Sequence, residues 1–291
     1  MKILPEPHRT DLQTDAMAQL HNWRGGIAAH KVIGLVPTMG ALHEGHRSLI
    51  RLAREQCDVV VLTIFVNPRQ FGPGEDFKSY PRTREQDLEI ARAEQVDLVY
   101  LGTNEELYPD GFATRIELPS LSERLCGLSR PQFFGGICLI VLKLFHVFRP
   151  DKAYFGHKDY QQLVIIEQMT RDLDLDVEVV RCPTVREQDG LALSSRNVNL
   201  DADARSRAVV LSSSLLLAQQ MWQAGENSAS RLRDEAFSLY GSGVELEYFE
   251  VLDRDNLDPV DPIEPDRGAV ICVAARVGGV RLIDNIMLEP R

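Results

Sequence analysis

The chain has 291 residues, of which 44% are hydrophobic and 26% are charged. Because domains average roughly 150 residues, this length predicts one large or two moderate domains and excludes an isolated peptide. The composition also excludes a disordered chain and a collagen-like repeat. Asp and Glu outnumber Lys and Arg by 43 to 32, which gives a net charge of −11, and no long basic run offsets this excess. Extended nucleic acid and anionic membranes are therefore not expected as partners.

The longest apolar run, residues 137–148, contains Lys143 and His146 and is shorter than the roughly 18 residues that a membrane-spanning helix needs. We interpret it as a buried helix and expect no membrane partner. Residues 1–10 lack the layout of a secretory signal, which favours a cytoplasmic protein. The five cysteines are widely spaced without a CxxC pair, so we expect buried thiols rather than a disulfide framework.

Strands and helices alternate in the first two thirds of the chain. Strands are predicted at residues 31–36, 59–66, 96–101, 152–155 and 177–182, and helices at about 45–56, 83–95, 137–148 and 160–173. The strand at 59–66 is continuously apolar and β-branched, as in a parallel sheet that is buried on both faces. Repeated βα units of this kind predict an α/β fold with a doubly wound parallel sheet.

Beyond Pro183 the order of elements changes. Helices are predicted at residues 201–222 and 228–240, and strands at 244–252, 269–275 and 280–286. Helices followed by clustered strands indicate a second, smaller α+β domain. We place the division between a domain of residues 1–184 and a domain of residues 185–291.

The first candidate site follows the first predicted strand, in the segment PTMGALHEGH at residues 37–46. The loop after such a strand is where an open α/β sheet binds ligands, and the next helix offers N–H groups to phosphate. His43 and His46 can donate hydrogen bonds to phosphate oxygens, and Gly45 permits close approach of the backbone. A metal site is less favoured, because the histidines of an HExxH zinc site have a different spacing. A capped helix with surface histidines is the alternative.

Polar side chains also follow the second predicted strand. Asn67 and Gln70 carry both donors and acceptors, which suits a small polyhydroxy or carboxylate substrate. The alternative is a polar turn set by the Asn67-Pro68 dipeptide. Both residues lie at the edge of the predicted sheet at which the first candidate site lies, so we expect the two segments to be neighbours.

A later strand-to-helix junction carries the segment FGHKDYQQ at residues 155–162. Lys158 is placed to contact nucleotide phosphates, Gly156 permits close approach, and Gln162 lies one turn into the helix. Asp159 can also be explained as a simple helix cap.

The last candidate segment, DGLALSSRN at residues 189–197, lies at the predicted domain boundary. Ser194, Ser195 and Arg196 combine hydroxyl groups with a guanidinium, which makes a short anion-binding segment. An Asn-terminated turn is the alternative. All four polar segments fall at strand ends or at the boundary, and independent surface turns would have no reason to do so.

With HxGH, VNPxQF, FGxKDxQQ and DGLALSSRN in this order, the chain resembles the pantoate–β-alanine ligase family of the HxGH nucleotidyltransferase-like superfamily. The resemblance runs from about Val32 to the segment RLIDN at residues 281–285. It implies a Rossmann-like N-terminal domain, a small C-terminal lid domain, a homodimer and a requirement for Mg²⁺. It also implies a reaction in which ATP and pantoate form pantoyl adenylate, which β-alanine then attacks to release AMP and pantothenate.

The resemblance assigns roles to the matching residues. The expected catalytic residues, which contact the phosphates, are His43, His46, Lys158, Ser194, Ser195 and Arg196. The other residues expected to bind ATP are Pro37, Thr38, Met39, Gly40, Gly45, Gly156, Asp159 and Val185. Those expected to bind pantoate are Asn67, Gln70 and Gln162, with Asn67 between the two substrates. Asp87 and Glu75 are acidic candidates for holding Mg²⁺, but we assign no metal ligand.

Two departures from the family pattern stand near these segments. The family usually has RPGHFxGV, whereas this chain has Gln132 at the glycine and Phe133 at the histidine. It also has His157 where the family has glutamate in FGEKD. Loss of an imidazole and a carboxylate can alter substrate orientation or the choice of acid or amine. Tolerated drift in an intact ligase is the favoured explanation.

Three other functions stay open at this point. The first is a related ligase that activates another hydroxy acid or couples another amine. The second is a nucleotide-binding protein that has lost catalysis. The third, a nucleotidyltransferase acting on a phosphorylated acceptor, is disfavoured because Asn67, Gln70 and Gln162 offer no charge for a second phosphate.

Overall fold

The computed structural model describes residues 1–5 and 15–291, and it divides into two compact units. The first unit comprises Met1–His157 and Ile165–Cys182, and the second comprises Lys158–Val164 and Pro183–Arg291. The expectation drawn from residues 1–10 rests partly on residues 6–10, which lie outside the described residues. The predicted domain limits of 1–184 and 185–291 stay a prediction.

The first unit is built on a parallel sheet of six strands in the order β1-β4-β3-β2-β5-β6. The strands are β1 (Lys2–Leu4), β2 (Ile33–Thr38), β3 (Val59–Ile64), β4 (Leu98–Leu101), β5 (Lys152–Gly156) and β6 (Glu178–Cys182). The prediction of a doubly wound parallel sheet is confirmed, because the order reverses at β2. The sequence pattern missed β1, which is too short to show a periodicity.

Helices connect these strands. They are α1 (Asp15–Gly25), α2 (Glu44–Gln56), α3 (Arg84–Ala93), α4 (Asn104–Leu107), α5 (Pro119–Ser122), α6 (Cys126–Ser129), α7 (Phe133–Phe148) and α8 (Tyr160–Asp172). The buried helix predicted at 137–148 is confirmed as α7 and begins one turn earlier. Residues 160–164 of α8 are assigned to the second unit.

Apolar side chains of α2, β2, β3 and β4 form a common core in the first unit. Val36, Ile50, Val60 and Val99 are fully buried in this cluster. Strands buried in this way are recognisable from their continuous β-branched runs, which explains why the sequence located them. All five cysteines are buried and none forms a disulfide, as predicted.

The second unit combines three helices with an antiparallel sheet in the order β7-β8-β9. Its further elements are α9 (Ala202–Ala208), α10 (Val210–Gln223), α11 (Ala229–Phe237), β7 (Val244–Leu252), β8 (Ala269–Val277) and β9 (Val280–Leu288). The single helix predicted at 201–222 is two helices that meet at Val209, so this prediction was wrong in detail. Leu215, Trp222, Phe249 and Ile271 lie in the core of this unit.

Within residues 1–5 and 15–291, no helix combines the length and the apolar character that crossing a bilayer requires.

Candidate active site

The site of the first unit begins where the strand order reverses. β2 has β3 on one side and β5 on the other, and the parallel register pairs Thr38 with Ile64 and Leu35 with Ala153. The carboxyl ends of the three strands therefore lie at one edge of the sheet, which is where doubly wound sheets bind ligands. The predicted residues that follow these strand ends are His43 and His46 after β2, Asn67 and Gln70 after β3, and Gly156 at the end of β5.

The HxGH segment passes from β2 to α2 through a tight turn. Gly40 and Ala41 both have positive φ angles, of 82° and 50°. A Cβ atom at Gly40 would lie 2.9 Å from Oδ2 of Asp87 and 3.1 Å from a methyl carbon of Ile64. Glycine is therefore required at position 40 both by the backbone conformation and by the available space.

Two imidazole rings cap the start of α2. The backbone N–H of Gly45 donates to Nδ1 of His43 at 3.1 Å, and the N–H of His43 donates to Nδ1 of His46 at 3.2 Å. The ring centroids lie 4.1 Å apart. Because each Nδ1 accepts a hydrogen bond, the hydrogen of each neutral ring resides on Nε2, which is then a donor. The helix cap of the alternative interpretation is thus present, but both histidines are half-buried rather than on the surface. The cap gives each ring a donor of the kind that binds phosphate oxygens.

A buried carboxylate on α3 holds the same turn. Asp87, which is 1% exposed, accepts the N–H of Leu42 at 2.8 Å and the N–H of Ala41 at 3.1 Å. It also accepts the hydroxyl of Thr83 at 3.2 Å. These bonds fix the backbone immediately before His43. The sequence alone marks Asp87 only as an acidic candidate for Mg²⁺, since no local pattern links it to the turn.

Asn67 opens a short 3₁₀ turn and is 1% exposed. Its Nδ2 donates to Oε1 of Gln70 at 2.9 Å and to the carbonyl oxygen of Gly136 at 3.0 Å. Its Oδ1 accepts the N–H of Arg69 at 3.2 Å and the hydroxyl of Tyr108 at 3.0 Å. Both amide hydrogens and both oxygen lone pairs are therefore used within the protein. Asn67 thus orders the residues around it, Gln70 above all.

Gln70 is oriented by this bond. Because its Oε1 accepts from Asn67, its amide nitrogen remains a donor, and it bonds to nothing in the part of the chain that the structure describes. Burial raises the pKa of Tyr108 to about 12, although the charge of Arg69 and the bond to Asn67 act in the opposite direction. The Tyr108 hydroxyl therefore stays protonated at neutral pH and remains the donor to Asn67.

The start of α7 packs against this turn at backbone contact distance. A Cβ atom at Gly136 would lie 2.1 Å from the carbonyl oxygen of Arg69, and one at Gly135 would lie 2.5 Å from that of Ile116. Real side chains do not reach such distances, so both positions require glycine. The contact is what allows the Gly136 carbonyl to reach Asn67.

Arg130 lies beside the same turn and contacts Phe133, one of the residues that depart from the family pattern. Its guanidinium carbon lies 3.5 Å from the ring centroid of Phe133. Nε and Nη2 donate to the two carboxylate oxygens of Glu75 at 2.6 and 2.7 Å, and Nη2 also donates to the carbonyl oxygen of Gln70 at 2.9 Å. Phe133 therefore stacks on an arginine that supports Gln70, and Glu75 is committed to an ion pair rather than to a metal.

The second unit contains the predicted residues from Lys158 onward, whereas Pro37 and Met39 lie in the first unit. Lys158 and Asp159 lie in a 3₁₀ turn that begins at His157, and the Lys158 Nζ is 4.0 Å from Oδ1 of Asp159. Gln162 is half-buried on α8. Near Val185 the chain forms a short hairpin, in which the N–H of Leu193 donates to the Val185 carbonyl at 3.0 Å.

The hairpin presents Ser194, Ser195 and Arg196, which follow it directly. The Ser194 hydroxyl accepts the N–H of Arg196 at 3.3 Å. Asn197 anchors the end of this segment, because its Nδ2 donates to Oε1 of Glu187 at 3.0 Å and to the Ala192 carbonyl at 3.2 Å. The predicted turn ending at Asn197 is therefore present, and its hydroxyl and guanidinium groups stand on an anchored loop.

No group of three or more His, Cys, Asp or Glu side chains that would suit a metal ion occurs within residues 1–5 and 15–291. Asp87 and Glu75, the two acidic candidates, are both engaged by protein donors. We therefore assign neither carboxylate as a Mg²⁺ ligand.

Comparisons with known proteins agree with the family resemblance that the four motifs indicate. A family model described as pantoate-beta-alanine ligase matches residues 12–287. Pantothenate synthetase of Thermotoga petrophila is 48% identical over 260 residues, which cover 89% of this chain and 92% of that protein. Pantothenate synthetase of Acetivibrio thermocellus is 47% identical over 262 residues, which cover 89% and 92%.

Solved structures are similar over the whole chain. A pantothenate synthetase structure from Thermus thermophilus has a TM-score of 0.90 and 40% identity and covers 100% of both chains. The pantoate-beta-alanine ligase of Francisella tularensis, solved with beta-gamma ATP and beta-alanine, has a TM-score of 0.79 and 33% identity. It covers 100% of this chain and 99% of that chain. The similarity therefore extends over both the six-stranded sheet and the C-terminal unit.

Proposed function

The chain belongs to the pantoate–β-alanine ligase family, and from this premise we propose that it condenses pantoate with β-alanine through a pantoyl-adenylate intermediate. The observation that carries the proposal is the pair of imidazole donors at the HxGH turn, beside the strand end that carries Asn67 and Gln70. A phosphate-binding turn next to a turn with amide donors matches the two partners of an acyl-adenylating step, a nucleotide and a small hydroxy acid.

In the first step a carboxylate oxygen of pantoate attacks the α-phosphorus of ATP. The new P–O bond forms as the bond from the α-phosphorus to the β-phosphate oxygen breaks, and pyrophosphate leaves. ATP enters as its magnesium complex, with the ion held mainly by phosphate oxygens and water. Negative charge grows on the phosphate oxygens during the displacement, so donors aimed at them lower the barrier.

His43 and His46 are suited to that task. Their Nδ1 atoms are occupied by the helix cap, which orients both rings and keeps the hydrogen on Nε2. A donor that is oriented before the substrate binds does not have to reorganise during the reaction. This preorganisation is the main source of electrostatic catalysis. Asp87 contributes indirectly, because it holds the turn from which His43 projects.

Residues of the second unit supply further cationic and hydroxyl donors. We assign Lys158, Ser194, Ser195 and Arg196 to the phosphates, and Asp159 and Val185 to the rest of the nucleotide. In the first unit, Pro37, Thr38, Met39, Gly40, Gly45 and Gly156 are assigned to ATP as well. Apart from the two chain neighbours, no atom of the described residues lies within 4 Å of a Cβ built on Gly156, so the space beside it can take a ligand.

Pantoate is assigned to Gln70 and Gln162, with Asn67 ordering the turn. The amide nitrogen of Gln70 can donate to a pantoate oxygen while its Oε1 remains bonded to Asn67. In this arrangement Asn67 acts mainly by holding Gln70, since its own amide group is fully used.

In the second step the amine of β-alanine attacks the carbonyl carbon of the adenylate. A C–N bond forms, the C–O bond to AMP breaks, and the nitrogen loses a proton as pantothenate is released. Because the adenylate is held noncovalently, no nucleophilic side chain is required. Exclusion of water protects the mixed anhydride from hydrolysis.

The test is pyrophosphate release from Mg-ATP and pantoate, measured with and without β-alanine, for the wild type and His46→Ala. We expect turnover that requires pantoate, formation of pantothenate only with β-alanine, and a loss of roughly 10²–10³-fold in kcat for the variant. ATP binding without pyrophosphate release under pantoate would overturn the assignment and favour a related ligase or a silent nucleotide-binding protein. A competition series with other hydroxy acids and amines separates those two.

Assembly and location are proposed on the family resemblance. We propose a homodimer in the cytoplasm, with only small-molecule substrates as partners. Light scattering during size-exclusion chromatography gives the mass directly, and a single-chain mass of 32.8 kDa would contradict the dimer.

A further inference from the structure

We infer that Asn285 is a positioning residue that fixes Lys158 and couples it to the loop of Ser194–Arg196. This inference rests on the proposed function, in which Lys158 and that loop bind the phosphates of ATP. Asn285 lies on β9, far along the chain from Lys158 and from the loop. It belongs to the RLIDN segment, to which the family resemblance assigns no role.

The link to Lys158 is a partly buried side-chain-to-backbone hydrogen bond. Asn285 is 4% exposed, and its Nδ2 donates to the carbonyl oxygen of Lys158 at 2.8 Å. Among the described residues, the one ion-pair contact of the Lys158 Nζ is with Oδ1 of Asp159, at 4.0 Å. Because a lysine side chain is flexible, the position of its charge depends on how firmly its backbone is held. The bond from Asn285 supplies that restraint.

Asn285 is itself held by an ion pair between half-buried Arg186 and buried Asp284. Its N–H donates to Oδ1 of Asp284 at 2.8 Å, and its carbonyl oxygen accepts Nη2 of Arg186 at 3.2 Å. Arg186 binds both carboxylate oxygens of Asp284, at 2.6 and 3.0 Å, and Asp284 is 3% exposed. A bidentate arginine–carboxylate pair fixes the relative orientation of both groups.

The same arginine reaches the segment that leads to the phosphate-binding loop. Nη1 of Arg186 donates to the carbonyl oxygen of Gly190 at 3.0 Å. The next residue, Glu187, accepts Nδ2 of Asn197 at 3.0 Å and Nη2 of Arg205 at 2.8 Å. The loop is thus anchored before Ser194 and after Arg196.

These contacts form one polar network, which reaches two segments of the second unit. Asn285 connects it to the backbone of Lys158, and Arg186 with Glu187 connects it to the loop of Ser194–Arg196. The anchoring side chains of Asn285, Arg186 and Glu187 are not themselves assigned to a substrate. Loss of the Asn285 donor should therefore displace Lys158 while every group that touches ATP is still present.

The experiment is a double-mutant cycle on the full chain with Asn285→Ala, Lys158→Ala and the double variant. ATP affinity is measured by calorimetry, and kcat and KM by pyrophosphate release with pantoate. We expect Asn285→Ala to lower kcat/KM for ATP by roughly 10–100-fold, because small displacements of reacting groups have effects of this size. KM for pantoate should not change. In the Lys158→Ala background the second change should add less than about a twofold loss.

Gln219→Ala is the matched control. Gln219 also donates from a side-chain amide to a backbone carbonyl, that of Met287 on β9, at 3.0 Å, but it does not bond to Lys158. We expect this variant to keep wild-type ATP affinity. If Gln219→Ala and Asn285→Ala have equal effects, or if the Asn285→Ala and Lys158→Ala losses multiply in the double variant, Asn285 is merely structural and the inference is overturned.

A second variant covers the case in which Asn285→Ala does not fold. Asn285→Asp keeps the shape of the side chain but has no N–H to donate, and thermal unfolding shows whether it folds. If the wild type binds ATP but releases no pyrophosphate with pantoate, the proposed function fails, yet the cycle of ATP affinities still decides on Asn285. A wild type that does not bind ATP overturns both.

Discussion

The carboxylate of Asp87 accepts the backbone N–H of Leu42 at 2.8 Å and in this way ties α3 to the turn that carries the HxGH motif. The second oxygen of Asp87 accepts the N–H of Ala41 at 3.1 Å. Both oxygens of this buried carboxylate therefore accept backbone N–H groups. Asp87 thereby fixes the backbone from which the imidazole of His43 projects. The turn is therefore supported by a residue that does not belong to the motif.

Asp87→Asn should weaken this support. An amide has one acceptor oxygen, so one of the two backbone N–H groups would face an NH₂ group instead. We expect a loss of about 1–3 kcal/mol in the free energy of unfolding, measured in urea, and a lower ATP affinity. Asp58→Asn is the control, because Asp58 also accepts a backbone N–H, that of Val32 at 2.9 Å, but is far more exposed. Wild-type ATP affinity in Asp87→Asn would contradict this role.

Gly136→Ala should disrupt the turn after β3. The added Cβ would lie 2.1 Å from the carbonyl oxygen of Arg69, so α7 and the turn must separate and the bond from Asn67 to the Gly136 carbonyl must lengthen. We expect a loss of about 1–3 kcal/mol in stability, as for other overpacked sites, and a higher KM for pantoate.

Gly241→Ala provides the comparison for this variant. Apart from its chain neighbours, a Cβ at Gly241 meets no atom of the described residues within 4 Å, so we expect wild-type stability and kinetics. If Gly136→Ala unfolds at the same urea concentration as the Gly241→Ala variant, the close approach of α7 does not limit the site.

Phe133 tests whether the departure from the family pattern is tolerated. Its ring stacks on Arg130, which holds the Gln70 carbonyl, and a histidine ring at this position can stack in the same way. We expect Phe133→His to keep KM for pantoate near the wild-type value. Phe133→Ala should lose about 0.5–1 kcal/mol in stability and raise that KM. A change of amine preference in Phe133→His, measured with a panel of amines, would show instead that Phe133 sets specificity.

Several of these features show what the sequence can predict. The strands β2 to β5 were predicted because buried parallel strands have continuous apolar runs, and the candidate residues after β2 and β3 were placed by the rule for strand ends. The break at Val209 has no glycine or proline to announce it, so periodicity predicted one helix there. Asp87, Arg130 and Asn285 act over long sequence separations, and a single sequence has no local pattern that reveals such partners.

The ion pair between Glu75 and Arg130 should make stability depend on pH in a defined direction. Burial raises the pKa of Glu75, but the hydrogen bonds from Arg130 and from the N–H of Gly72, together with the charge of Arg130, lower it below its ordinary value of 4.5. A carboxyl group whose pKa is lower in the folded state stabilises the fold above the unfolded-state pKa. That contribution is lost as the pH falls through the folded-state pKa.

Glu75→Gln should therefore be less stable than the wild type at neutral pH, and the difference should shrink as the pH falls below 4.5. Urea unfolding of both proteins over a series of pH values measures this directly. Glu105→Gln is the control, because Glu105 is exposed and forms no ion pair among the described residues, and we expect it to follow the wild type at every pH. A stability difference for Glu75→Gln that stays constant from neutral pH into acid would mean that the charge of Glu75 does not contribute. In that case Arg130 would be held beside Gln70 by Phe133 rather than by Glu75, and the pantoate kinetics of Phe133→Ala should be the more strongly affected of the two variants.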